Sequence, residues 1–125
     1  MKLLLVDDSK FSQITASNLF KKIDNSIEII LASDGKEGFE KYKRNNPDYI
    51  IVDLLMPKIC GNELIKVIKE YDKDANIIVL SADVQNKVRE EIMSYGVKEF
   101  INKPLNENKA QQIYNIMKGE NHGER

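Results

Sequence analysis

Four polar or charged groups stand where short apolar runs end. Asp7-Asp8 follow Leu3 to Val6, Asp53 follows Tyr49 to Val52, Ser81 follows Ile77 to Leu80, and Lys103-Pro104 follow Phe100-Ile101 and Asn102. One aspartate after an apolar run carries little information, because chains turn polar where strands end. Three carboxylates brought together are another matter: they repel strongly, and one lysine cannot neutralise them, so such a cluster calls for a divalent cation. Oxygen ligands alone suit Mg²⁺, which takes a couple of carboxylates and fills its octahedron with water and phosphate oxygens. A metal-bound carboxylate, an ammonium and a hydroxyl are together what phosphoryl transfer requires, namely in-line positioning and neutralised equatorial oxygens. The carboxylate is already a nucleophile, so no general base is needed.

These groups converge only if the runs are neighbouring strands. Leu3 to Val6, Ile27 to Leu31, Tyr49 to Val52, Ile77 to Leu80 and Phe100-Ile101 read as strands. Helical spacing follows each: Phe11, Ile14, Leu19 and Ile23; Phe39 and Tyr42; Leu64, Ile68 and Tyr71; Val84, Val88, Ile92 and Tyr95; Ile113 and Ile116. Asp34 with Glu37, and Asn106 before Glu107, are helix starts, and Asn45-Asn46-Pro47-Asp48 stops the second helix. The order is (βα) five times. Strands apolar on both faces, with right-handed crossovers, give an α/β doubly wound five-stranded parallel sheet, whose functional crevice lies beyond the carboxyl ends of the strands.

The chain has 125 residues, 42% hydrophobic, enough for one core and one domain. Nineteen basic against twenty acidic residues leave a net charge of −1, so no global field draws it to nucleic acid or an anionic membrane. Cys60 is the single cysteine, which rules out an internal disulfide. The apolar start breaks at Asp7-Asp8, too early for a signal sequence, and no run is long enough to span a bilayer. The expectation is a cytoplasmic, soluble monomer: a domain over residues 1–118 and a frayed polar tail over 119–125 that holds His122.

The pair Asp7-Asp8, Asp53 within Ile51-Val52-Asp53-Leu54-Leu55-Met56-Pro57, Gly61, Ser81-Ala82 and Lys103-Pro104 together resemble the response-regulator receiver signature, over about residues 2 to 118. The resemblance implies a flavodoxin-like sheet of order 2-1-3-4-5. It implies that Asp8 ligates Mg²⁺ with Asp7 and Asp53, that Leu55 adds its backbone carbonyl, and that Asp53 is phosphorylated. Lys103 and Ser81 would contact the phosphoryl oxygens, a cis bond into Pro104 would aim the lysine, and Phe100 matches the switch aromatic coupled to Ser81. The protein would be no enzyme beyond its own phosphorylation and dephosphorylation. Its partners would be a histidine kinase or histidine phosphotransfer protein and a downstream target, met through the face from about Val84 to Met117.

Two departures stand out. Cys60 replaces a frequent Asp and reads as surface variation. Leu55, with Asp83 beyond Ser81, should flank the path of the attacking water, and an apolar Leu55 cannot orient one, which implies a longer-lived phosphoryl group than in a Leu55→Asn variant. A haloacid dehalogenase-type enzyme would need a second Asp where Leu55 stands. A flavin carrier would place phosphate where Asp7-Asp8 repel it. The remaining alternative is a degenerate receiver that acts as a constitutive interaction module. With no output module after Lys118, signalling would run through protein contacts, in a chemotaxis-type or a phosphorelay setting.

Overall fold

The computed structural model describes residues 1–54, 61–82 and 86–122. Five strands, β1 (Lys2–Val6), β2 (Glu28–Ala32), β3 (Tyr49–Asp53), β4 (Ile77–Ser81) and β5 (Glu99–Asn102), alternate with α1 (Lys10–Ile23), α2 (Gly35–Asn45), α3 (Gly61–Tyr71), α4 (Asn86–Ser94) and α5 (Glu107–His122). All pairings are parallel, in the order β2-β1-β3-β4-β5. The sheet and its order are as the sequence implied; four strands are one or two residues longer than the apolar runs that signalled them, and β2 is shifted by one residue from its run.

Period-two alternation divides the core into two layers. Leu4, Val6, Ile50, Val52 and Val79 face Tyr42, Leu64, Ile68 and Ile92, so α2, α3 and α4 cover that side. Leu3, Leu5, Ile51, Ile78 and Leu80 face Ala16, Phe20, Ile113 and Met117, which puts α1 and α5 on the other. With both faces covered, every residue of β3 and β4 is buried, as expected of central parallel strands.

Local chemistry sets the helix ends. Asp34 caps α2 by accepting the Glu37 N–H at 2.8 Å, and Asn46 closes that helix in the left-handed region at φ 49°. Asn106 accepts the Lys109 N–H at 2.9 Å at the start of α5. Ser9, not foreseen as a cap, begins α1 by accepting the Ser12 N–H.

Three expectations need correction. In α1 the buried residues are Gln13, Ala16 and Phe20, while Phe11 and Ile14 are 80% and 58% exposed. Of the apolar stripe read from the sequence, Leu19 and Ile23 pack against the core, whereas Phe11 and Ile14 give way to Gln13 and Ala16 in the first turns. Tyr71 and Val88, read as inward, are exposed. Finally α5 continues through Gly119 to His122, so the helix does not end at Lys118.

Candidate functional site

Parallel strands with staggered lengths deliver their last residues to one rim. Asp53 is the final residue of β3 and Ser81 of β4, paired in register with Leu80 and Asn102 respectively. Asp7 follows β1 and donates its N–H to the Ala32 carbonyl at 3.0 Å, which extends the β1–β2 ladder by one bond. Lys103 follows β5 and donates its N–H to the Ser81 carbonyl at 2.8 Å, and the Lys103–Pro104 bond is cis, as the resemblance implied.

The fold therefore gathers what the sequence singled out. Carboxylate oxygens of Asp7, Asp8 and Asp53 lie within 4.8 Å of one another. Lys103 Nζ donates to Asp7 Oδ2 at 3.0 Å and to Asp53 Oδ2 at 3.2 Å. Asp7 and Asp53 are buried whereas Asp8 is exposed, so the cluster has a protein side and a solvent side. Burial alone would pull the Lys103 ammonium down; the hydrogen bond to Asp7 and the charges of Asp53 and Asp7 outweigh it and hold the lysine above its ordinary value. The lysine is charged at neutral pH.

Ser81 Oγ is buried and has no hydrogen-bond partner among the described residues. A buried hydroxyl left in this way costs stability unless something else satisfies it, and here it stands at the rim beside Asp53. The donor set is thus all oxygen, with two inner carboxylates and an outer one open to water. That chemistry fits a hard divalent cation of the Mg²⁺ kind.

Asp7 is held on every side. Its Oδ1 accepts the Ser9 N–H at 2.9 Å, its Oδ2 accepts Lys103, and its carbonyl accepts Gln13 Nε2 at 2.7 Å. Gln13, 6% exposed, was not singled out in the sequence; its one signal is a polar residue three and seven positions before Ala16 and Phe20. A cleft of about 170 Å³ opens beside the cluster between α1 and the Lys103–Leu105 segment, walled by Leu5, Ile51, Leu80, Ala16 and Pro104.

Phe100 is buried, 3% exposed, in the layer that holds Val79, Ile92 and Val97. The Arg89 guanidinium of α4 covers its ring at 5.5 Å from the centroid. Leu55, Cys60, Asp83 and Val84 lie outside the described residues, so the Leu55 carbonyl ligand and the water path past Leu55 and Asp83 are not described. Gly61 is in place: its N–H donates to the Leu54 carbonyl at 3.0 Å, and a Cβ there would fall 2.5 Å from Leu54 Cα.

Residues 3–115 match the family model described as the response regulator receiver domain. The chain is 32% identical over 115 residues to the chemotaxis protein CheY of Bacillus subtilis, covering 91% of this chain and 94% of that one. It is 33% identical over 114 residues to CheY of Thermotoga maritima, again covering 91% and 94%. Among solved structures, the CheX-CheY-BeF3-Mg²⁺ complex from Borrelia burgdorferi holds a chain that is 35% identical with a TM-score of 0.84, covering 90% and 84%.

Proposed function

The chain belongs to the response regulator receiver domain family, whose place is in two-component signalling, and from that premise we propose that Asp53 is its phosphoacceptor. The observation that carries the reading is Lys103 bridging Asp7 and Asp53, with the exposed Asp8 carboxylate completing the cluster.

In this reading Asp7, Asp8 and Asp53 would hold Mg²⁺, which when bound supplies positive charge to the equatorial phosphoryl oxygens. An Asp53 oxygen attacks phosphorus of a phosphohistidine on a histidine kinase or phosphotransfer protein. The new O–P bond forms as the P–N bond breaks, and the imidazole keeps the electron pair. The Lys103 ammonium offsets the charge that arrives, and the Ser81 hydroxyl donates a hydrogen bond to a phosphoryl oxygen, which gives that buried hydroxyl a partner. The chain would catalyse only this self-modification and its reversal.

Output would leave through α4, β5 and α5. Drawing Ser81 toward the phosphoryl group would vacate space beside β4; Phe100, expected to turn in from the surface, is already buried, so the swap would be a repacking of that buried ring, discrete because packed cores are bistable. A partner that prefers one pose shifts the balance by its differential affinity. The names of the CheY relatives support a chemotaxis-type role, and the CheX complex of one relative supports a second protein as partner. We place the protein in the cytoplasm as a monomer. Among the described residues no helix is long and apolar enough to cross a membrane.

Acetyl phosphate with Mg²⁺ provides the test. Intact-mass analysis should show one added phosphoryl group, absent in Asp53→Asn and absent when EDTA replaces the metal. Equal uptake by Asp53→Asn would place the phosphoryl group on another residue, and none by the parent would instead leave a constitutive interaction module.

A further inference from the structure

We propose that Gln13 is a positioning residue for the acidic pair: its buried side-chain amide locks the Asp7–Asp8 peptide plane and so aims the exposed Asp8 carboxylate. The inference rests on the reading of Asp7, Asp8 and Asp53 as a cation site.

An amide on the packed face of a helix costs stability unless its bonds are made. Gln13 stands on the α1 face that otherwise buries Ala16 and Phe20, and its Nε2 meets the Asp7 carbonyl at 2.7 Å and the Ala32 carbonyl at 3.1 Å. Ser33 Oγ lies farther off, at 3.4 Å. The amide therefore ties the carboxyl ends of β1 and β2 to each other and to α1.

The consequence falls on Asp8. Its carboxylate is exposed and makes no hydrogen bond or ion pair among the described residues, so no side-chain contact there fixes its direction. What the backbone fixes is the place of the Cα from which it projects. A peptide unit is planar, so the Asp7 carbonyl, the Asp8 nitrogen and the Asp8 Cα move as one rigid piece. Gln13 grips that piece from the core while Ser9 N–H and Lys103 grip the Asp7 carboxylate from the rim. Groups that touch a metal's ligands and not the metal still tune its affinity, commonly by about ten- to a hundredfold.

Amide NMR titration with Mg²⁺ alone, read at Asp7, Asp8 and Asp53, separates positioning from plain stability. Gln13→Met, equal in length and without a donor, should raise the half-saturating Mg²⁺ concentration by about tenfold. Phosphorylation by acetyl phosphate in that variant should return to within about twofold of the parent at saturating metal. Ala16→Gly, a weakening of the same helix face away from Asp7, should lower thermal stability and leave the Mg²⁺ midpoint in place. In the unaltered chain, the Gln13 side-chain NH₂ resonances should shift as metal is added, which holds even if Gln13→Met fails to fold. A Gln13→Met midpoint equal to the parent's, or Gln13 NH₂ signals unmoved while Asp8 responds, overturns the role of Gln13 alone. A parent with no response at the three aspartates overturns the cation reading and this role with it.

Discussion

The two rims of the sheet treat acidic residues in opposite ways. At the amino ends of the strands Asp24, Asp48 and Asp72 face donors. Asp24 accepts the Ser26 N–H, the Ser26 hydroxyl and the Tyr114 hydroxyl; Asp48 Oδ2 accepts the Lys2 N–H; Asp72 accepts the Tyr42 hydroxyl and the Asp74 N–H. At the carboxyl ends Asp7 and Asp53 share Lys103, Asp8 stands in solvent beside them, and Ser81 Oγ waits for a partner. An acid surrounded by donors ties a turn together. Three carboxylates gathered around one ammonium keep an excess of negative charge for something that is not part of the chain.

The sharpest break between the rims comes from crossed substitutions. Asp8→Ala should lower phosphoryl uptake by about a hundredfold or more while leaving thermal stability equal or slightly raised, since it removes only like-charge repulsion. Mass analysis of uptake and a calorimetric melt on the same sample check both halves. A large loss of stability would mean that Asp8 is structural.

Gly61→Ala attacks the same rim through the backbone. The new Cβ would lie 2.5 Å from Leu54 Cα and 2.7 Å from the Asp53 carbonyl oxygen, so the chain beside Asp53 must move. We expect a loss of about 3 kcal/mol in denaturant unfolding, together with impaired uptake. A variant of parental stability would contradict that packing.

Lys103→Arg should fail to restore function, with uptake down about tenfold, because a wide planar guanidinium does not replace a point charge set between two carboxylates. Uptake and target binding at parental levels would show that charge alone suffices there.

How much of this was legible follows from the kind of signal. Strands and site residues were visible because β3 and β4 are buried on both sides, and their apolar runs stop at the very residues that matter, Asp53 and Ser81. Gln13 was not, since hydrophobic spacing favoured Phe11 and Ile14, and only the tertiary need of two buried carbonyls turns an amide inward. The exposure of Val88 has a similar origin: α4 contributes Ile92 alone to the described core, too little to mark its face by spacing.

The smallest effect belongs to the amino-end rim. Hydrogen bonds from the Ser26 side chain, Tyr114 and the Ser26 backbone bring the Asp24 carboxyl from 3.8 down to about 2. A folded value below the unfolded one means that its contribution is complete above pH 3.8 and is lost as the pH falls through about 2. Asp24→Asn should therefore melt a few degrees lower at neutral pH and show less acid sensitivity across that window, with phosphorylation untouched. An acid limb as steep as the parent's would deny Asp24 that role.

Amide spectra of the unaltered protein, before and after Mg²⁺ with beryllofluoride as an acyl-phosphate mimic, put the central claim to the most direct test. The account predicts shifts at Asp7, Asp8, Asp53, Ser81 and Lys103 that extend along residues 86–117, while Asp24, Asp48 and Asp72 stay in place. Resonances at Asp53 and Lys103 that do not move, or shifts that spread equally over both rims, would contradict it.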